Sequence, residues 1–123
     1  MEKTQNNNYL SYEATRNYCF NGIREKFNLT ERQLQIILVA NHLEKCGASE
    51  WGVSDLGESI TEIQESNLYG RLYELIEEGY VQKVSRGRFK CTQAANRIAL
   101  SFQYRFTQKT NEMNKEGGES CQN

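Results

Sequence analysis

The hydrophobic period of the chain changes within residues 65–92, and this change constrains the fold more than any other feature. Aliphatic residues recur at helical spacing up to Gly79, which predicts an amphipathic helix over residues 65–78 that ends at a glycine. These aliphatic residues are Leu68, Leu72, Leu75 and Ile76. Residues 80–84 then alternate as a β-strand does, and residues 88–92 can return as the antiparallel partner. The segment predicts a helix followed directly by a short hairpin.

Two further helices are predicted before this segment. Thr30 and Gln33 stand at capping-box spacing and Gly47 offers a stop, which favours a helix between them, with apolar residues on both sides. Ser54 is predicted to cap a short helix of about two turns, and a polar bend at residues 61–64 leads to the helix 65–78. Two helices joined by a bend and followed by a hairpin are the parts of a winged helix-turn-helix.

The ends of the chain differ in composition from this middle part. Residues 1–10 are polar and rich in asparagine, which predicts a flexible arm, and an apolar helical pattern over residues 11–28 predicts an N-terminal helix. Thr92 is predicted to cap a C-terminal helix over residues 93–113, and the polar residues 114–123 are predicted to be a disordered tail. The expected fold is mainly α with a small β-hairpin: one winged helix-turn-helix domain, residues 29–92, flanked by N- and C-terminal helices.

Composition argues against an enzyme. The chain of 123 residues has one histidine, His42, and four cysteines without a C-x-x-C pair, so a catalytic triad or a metal cluster has few residues to draw on. His42 and Cys46 stand four residues apart, a spacing that can share a metal, but we expect no metal and no cofactor because no further ligands cluster nearby. Neither a signal peptide nor a membrane span is expected, which favours a cytoplasmic location.

Three stretches resemble known winged-helix transcription regulators. LTERQLQIIL is similar to the first domain helix of the multiple-antibiotic-resistance (MarR) type, and NLYGRLYELIEEGYV resembles the recognition helix of the MarR and phenolic-acid-response (PadR) types. RFKCTQAANRI resembles the strand that leads from the wing into the next helix, with Ala95 where a glycine is usual, and the tip SRGR lacks the Asp-x-Arg pattern of many MarR-type wings. The resemblance implies a dimeric regulator, expected to be a repressor, that binds a pseudo-palindromic duplex.

The side of helix 65–78 opposite its aliphatic stripe is predicted to enter the major groove. Asn67 can read adenine, Arg71 can reach guanine or a phosphate, and Ser66 can donate to a phosphate. Gly70 favours either close approach to a partner surface or tight packing against another helix. The hairpin 81–92 is predicted to be the wing. The predicted DNA-binding residues are Ser66, Asn67, Tyr69, Gly70, Arg71, Tyr73, Lys83, Arg86, Arg88 and Lys90.

Charge divides sharply along this region. Residues 82–97 contain five basic residues and no acid, whereas residues 50–79 contain eight acids and the single base Arg71. The basic hairpin favours contact with double-stranded DNA, although the net charge of the whole chain is only -1. The acidic segment supports an alternative, a winged-helix protein-protein interaction module without DNA binding.

Aromatic and aliphatic residues in the two outer helices exceed what a small three-helix core needs, which predicts a homodimer. The predicted interface residues are Tyr12, Phe20, Ile23, Phe27, Ile98, Phe102 and Phe106. Alternatively, both helices pack over the core of one chain. A cleft between the dimer helices and the winged domain is a candidate site for a small aromatic effector.

Overall fold

The structure, a computed structural model, describes the backbone of residues 2–60 and 65–122 and the side chains of residues 13–57, 60 and 67–112. The predicted bend at residues 61–64 lies outside the described residues. The elements are α1 (Glu2–Phe27), α2 (Glu31–Lys45), α3 (Val53–Ser59), α4 (Glu65–Glu77), β1 (Val81–Ser85), β2 (Arg88–Cys91) and α5 (Gln93–Gln122). This order confirms the predicted fold class, a mainly helical chain with one antiparallel hairpin.

Helix α2 begins at the predicted capping box. The Thr30 hydroxyl accepts from the backbone N–H of Gln33 at 3.1 Å, and the Gln33 side chain accepts from the backbone N–H of Thr30 at 2.9 Å. Leu34 and Ile37 on one side and Ile36 on the other are fully buried, so α2 lies between neighbouring elements as its pattern predicts. It packs on α4, α5 and the hairpin and forms the centre of the core.

The N-cap of helix α3 is Gly52, not the predicted cap Ser54. The Asp55 carboxylate accepts from the backbone N–H of Gly52 at 2.8 Å, so Ser54 lies inside the first turn. A Cβ on Gly52 would lie 3.0 Å from the carbonyl oxygen of Gly87 at the hairpin tip, which shows that the start of α3 and the tip approach closely.

The glycine stop after α4 is confirmed. Gly79 has a φ of 86° and its N–H donates to the Ile76 carbonyl at 3.1 Å, while the Tyr80 N–H donates to the Leu75 carbonyl at 2.9 Å. The hairpin follows within one residue of its predicted bounds. Trp51 exchanges two backbone hydrogen bonds with Phe89, at 2.9 and 2.8 Å, on the free edge of β2.

Glu44 fastens the hairpin to α2. Its Oε2 accepts from the indole N–H of Trp51 at 2.8 Å and from the backbone N–H of Cys91 at 2.7 Å. Burial and the nearby Glu44 carboxylate raise the pKa of the Cys91 thiol well above its usual value. The hairpin is therefore held by side-chain contacts as well as by its own ladder.

The two terminal helices are longer than predicted. Helix α1 starts at Glu2 and α5 ends at Gln122, so residues 2–10 and 114–122 are helical where an arm and a tail were predicted. Helix extension adds one hydrogen bond per residue to an existing helix, and polar composition without proline does not stop it. No helix in the described part of the chain is long and apolar enough to cross a membrane.

Candidate nucleic-acid interface

One side of α4 is buried and the other faces solvent. Leu68, Leu72 and Leu75 are fully buried, which confirms the predicted stripe. Asn67 and Gly70 are exposed on the opposite side, whereas the side chain of Ser66 lies outside the described part. The exposed side is free to meet a partner.

Tyr69 and Tyr73 form an aromatic plate on this exposed side. Their rings are 6.4 Å apart between centroids with 27° between planes, and the residues are 39% and 51% exposed. Neither ring belongs to the core. The plate offers flat apolar surface with two phenolic hydroxyls, a combination suited to a wet interface.

Gly70 lies in open space. A Cβ built at this position would have no heavy atom within 4 Å apart from its own helix backbone and chain neighbours. Packing against another helix of the same chain is therefore excluded as the reason for this glycine among the described residues. Close approach of the helix backbone to a partner surface stays a prediction for this glycine.

Arg71 pairs with Glu74 of its own helix, and Glu74 is also contacted from α2. Its Nη1 donates to Oε1 of Glu74 at 3.0 Å, and the same oxygen accepts from Nε2 of Gln33 at 2.9 Å. Gln33 is buried and belongs to the α2 capping box. Sequence reasoning identified the cap and Arg71 separately and missed their connection, because the contact joins residues 41 positions apart.

The basic residues of the hairpin fall into two groups. Lys83, Arg86 and Lys90 are exposed. Arg88 instead donates from Nε to the Glu50 carboxylate at 3.2 Å and from Nη2 to the Glu50 carbonyl at 3.0 Å, and its Nη1 lies 3.7 Å from Asp55. The predicted DNA contact at Arg88 thus competes with a link between the hairpin and the start of α3.

Several acids of the segment 50–79 are paired within the chain. Glu50 and Asp55 face Arg88, and Glu74 faces Arg71. The side chains of Glu58, Glu62 and Glu65 lie outside the described part. The described acids next to the basic hairpin are therefore partly neutralised by their neighbours.

Several of the predicted dimer residues are buried within the single chain. They are Ile23, Ile98 and Phe102, and their burial agrees with the single-chain alternative. Phe20, Phe27 and Phe106 are half-buried beside them, and the Tyr12 side chain is outside the described part. The large apolar residues that face outward on these helices were not predicted; they are Tyr18, Leu100 and Tyr104.

A cavity of about 370 Å³ opens between α1 and α5. Three of its lining residues are basic, Lys26, Arg105 and Lys109, and none is acidic. Gly22 makes room for Arg105, because a Cβ there would collide with the guanidinium. The remaining lining residues are Ile23, Ser101, Tyr104 and Gln108.

The described cysteines and the histidine form no metal cluster. His42 Nε2 lies 3.6 Å from Cys46 Sγ on the exposed surface, and no group of three metal-ligating side chains occurs among the described residues. Cys19 and Cys91 are buried. Burial raises the pKa of the Cys19 thiol, although Arg105 and Lys109 oppose this rise.

Comparison with known proteins identifies the fold. No protein-family model and no curated protein sequence matches the chain. The multiple antibiotic-resistance repressor MarR from Listeria monocytogenes 4b F2365 is 19% identical, with a TM-score of 0.72 over 94% of this chain and 78% of its own. NadR in complex with 4-hydroxyphenylacetate is 18% identical, with a TM-score of 0.66 over 95% and 85%. The oxidised form of MarR from E. coli is 12% identical, with a TM-score of 0.63 over 91% and 81%.

These likenesses show the fold. The chain has the winged-helix fold of MarR-type transcription regulators, over nearly its whole length. The resemblance to the MarR type drawn from the sequence is confirmed at the level of the fold, whereas the resemblance to the PadR type stays a prediction.

Proposed function

We propose that the protein is a MarR-type transcription regulator that binds double-stranded DNA in the cytoplasm, with α4 in the major groove and the β1–β2 hairpin as wing. The observation that carries the proposal is the pairing of two surfaces. The exposed side of α4 presents Asn67, Gly70 and the tyrosine plate, and the adjacent hairpin presents free cations. An exposed helix face next to a basic hairpin fits base edges and phosphates respectively.

The acidic residues of the segment 50–79 should repel DNA phosphates less than their number in the sequence suggests. Glu50, Asp55 and Glu74 each have a basic partner within the chain. Glu50 and Asp55 share Arg88, and Arg71 faces Glu74, so the charge of these three acids is offset only in part. This partial pairing supports the DNA-binding hypothesis over the protein-interaction module.

The test is fluorescence anisotropy with a labelled mixed-sequence duplex, titrated over salt. We expect Arg86→Glu to weaken binding and to reduce the slope of log K against log salt by about 1, since each phosphate contact contributes about 0.9. Arg16→Glu on α1 is the matched control, because Arg16 is exposed but lies on another helix, and it should leave the slope unchanged. Absence of binding by the native protein even at low salt would exclude DNA binding and leave the protein-interaction module.

Arg88 is proposed to support DNA binding by holding the wing in position through its bonds to Glu50. Removing its side chain in Arg88→Ala frees the hairpin tip from Glu50, so affinity should fall. Glu50→Ala removes one side of the same link without removing a cation. Equal loss of affinity in Glu50→Ala would support the positioning role, whereas loss in Arg88→Ala alone would indicate direct phosphate contact.

Two copies are proposed to join through the outward side of the terminal helices. Tyr18, Leu100 and Tyr104 provide exposed apolar surface there. A two-fold dimer places two recognition helices about one DNA turn apart and occupies a promoter, which accounts for repression. Light scattering should give twice the mass of one chain for the native protein and the mass of one chain for Leu100→Asp. Transcription of a reporter placed behind a selected duplex should fall with the dimeric native protein and not with the monomeric variant.

The cavity between α1 and α5 is proposed to hold a small aromatic anion as effector. NadR has been crystallised with such a compound, 4-hydroxyphenylacetate, and three cations without an acid line the cavity here. That compound should raise the melting temperature of the native protein, and it should not do so for Arg105→Ala. An equal rise in both proteins would place the ligand elsewhere.

A further inference from the structure

We propose that Glu74 is a positioning residue that orients Arg71 for reading one base, with Gln33 of α2 as its support. This inference rests on the proposed function and concerns the same surface. It explains why a helix that faces DNA carries an acid three residues after its basic residue.

Gln33 is fixed at both ends of its side-chain amide. Its Oε1 accepts from the backbone N–H of Thr30 at 2.9 Å, so the amide nitrogen must face the other way. Nε2 then donates to Oε1 of Glu74 at 2.9 Å. Because Gln33 is buried on α2, it is a rigid support for a carboxylate on α4.

Glu74 in turn fixes one nitrogen of Arg71. The distance from Nη1 to Oε1 of Glu74 is 3.0 Å. A guanidinium has five N–H donors, so Nε and Nη2 keep donors for a partner. A guanidinium that is already oriented loses less conformational freedom when it makes the bidentate contact with guanine.

The same carboxylate repels phosphate. Glu74 therefore lowers affinity for any duplex while it raises the difference between right and wrong sequences. Loss of a residue that served only the stability of the fold would lower the affinity for both sequences by the same factor and leave the ratio between them unchanged. Loss of Glu74 should instead raise the affinity and lower the ratio, and this difference is what the experiment tests.

The experiment uses the full chain and two duplexes. The first is the duplex that the native protein binds most tightly in a selection. The second differs from it at one base pair, chosen because the native protein discriminates at this base pair and Arg71→Ala does not. Preference is the ratio of the two affinities. We expect Glu74→Ala to lower the preference several-fold and to raise the affinity for a mixed-sequence duplex. Glu77→Ala is the matched control, since it removes an exposed acid from the same helix. It should leave the preference unchanged.

A double-variant cycle shows whether Glu74 acts through Arg71. In an Arg71→Ala background, Glu74→Ala should no longer alter the preference. Glu74→Gln, which keeps an acceptor oxygen at this position, should retain more of the preference than Glu74→Ala, and urea unfolding should confirm that each variant is folded.

Unchanged preference in Glu74→Ala, or an equal effect with and without Arg71, would overturn this inference while leaving DNA binding intact. If the native protein binds no duplex at low salt, the proposed function itself fails and this inference fails with it.

Discussion

Gly70→Ala should separate the stability of the fold from DNA binding. Gly70 lies within α4, and a methyl group there meets open space. Alanine is more favourable than glycine in a helix interior by about 1 kcal/mol. The variant should therefore be more stable than the native protein.

The gain in stability of Gly70→Ala should appear as a shift of the urea midpoint. With a slope of about 2 kcal/mol/M, a gain of about 1 kcal/mol moves the midpoint upward by about 0.5 M. If the backbone at Gly70 approaches DNA closely, the added methyl overpacks that contact, which typically costs about 1–3 kcal/mol. Affinity should then fall by roughly five-fold to a hundredfold, since 1.4 kcal/mol corresponds to a factor of ten.

The control is Gly57→Ala in α3, where a Cβ also meets no heavy atom within 4 Å. It should gain comparable stability and keep the native affinity for DNA. Urea unfolding and anisotropy on both variants complete the comparison. A loss of stability in Gly70→Ala, or a gain without any loss of affinity, would refute the reasoning.

Two further predictions concern buried groups. Glu44→Ala leaves the N–H donors of Trp51 and Cys91 without their acceptor. Each unsatisfied donor costs about 1–3 kcal/mol, so the free energy of unfolding, measured in urea, should fall by about 2–6 kcal/mol. An unchanged urea midpoint would show that water replaces the carboxylate. Among Cys19, Cys46 and Cys91, a thiol reagent at neutral pH should label the exposed Cys46 first, because burial raises the pKa of the other two and the thiolate is the reactive form. Peptide mapping by mass spectrometry would test this order, and early labelling of Cys91 would contradict it.

Local patterns were sufficient for the elements of the fold. The capping box at Thr30, the stripe of α4 and the stop at Gly79 each depend on residues within a few positions of one another. The start of α3 was misplaced by two residues because the carboxylate of Asp55 reaches back to Gly52. The ends of α1 and α5 were misplaced because composition alone does not set where a helix stops.

The candidate site was only partly accessible to the same reasoning. Which residues of α4 face outward follows from helical period, and the exposed positions of Asn67 and Gly70 agree with it. Which basic residues of the hairpin remain unpaired does not follow, because Arg88 pairs with Glu50 and Asp55, which lie outside the hairpin.

The sequence by itself thus determined the order of the helices, the buried stripe of α4 and the basic hairpin, since these depend on periodicity and on neighbouring residues. Only the tertiary structure decided that Glu44 fastens the wing, that Gln33 supports the carboxylate of Glu74 beside Arg71, and that no described residue packs against Gly70. Such contacts join residues far apart along the chain, and their geometry exists only after the helices have packed.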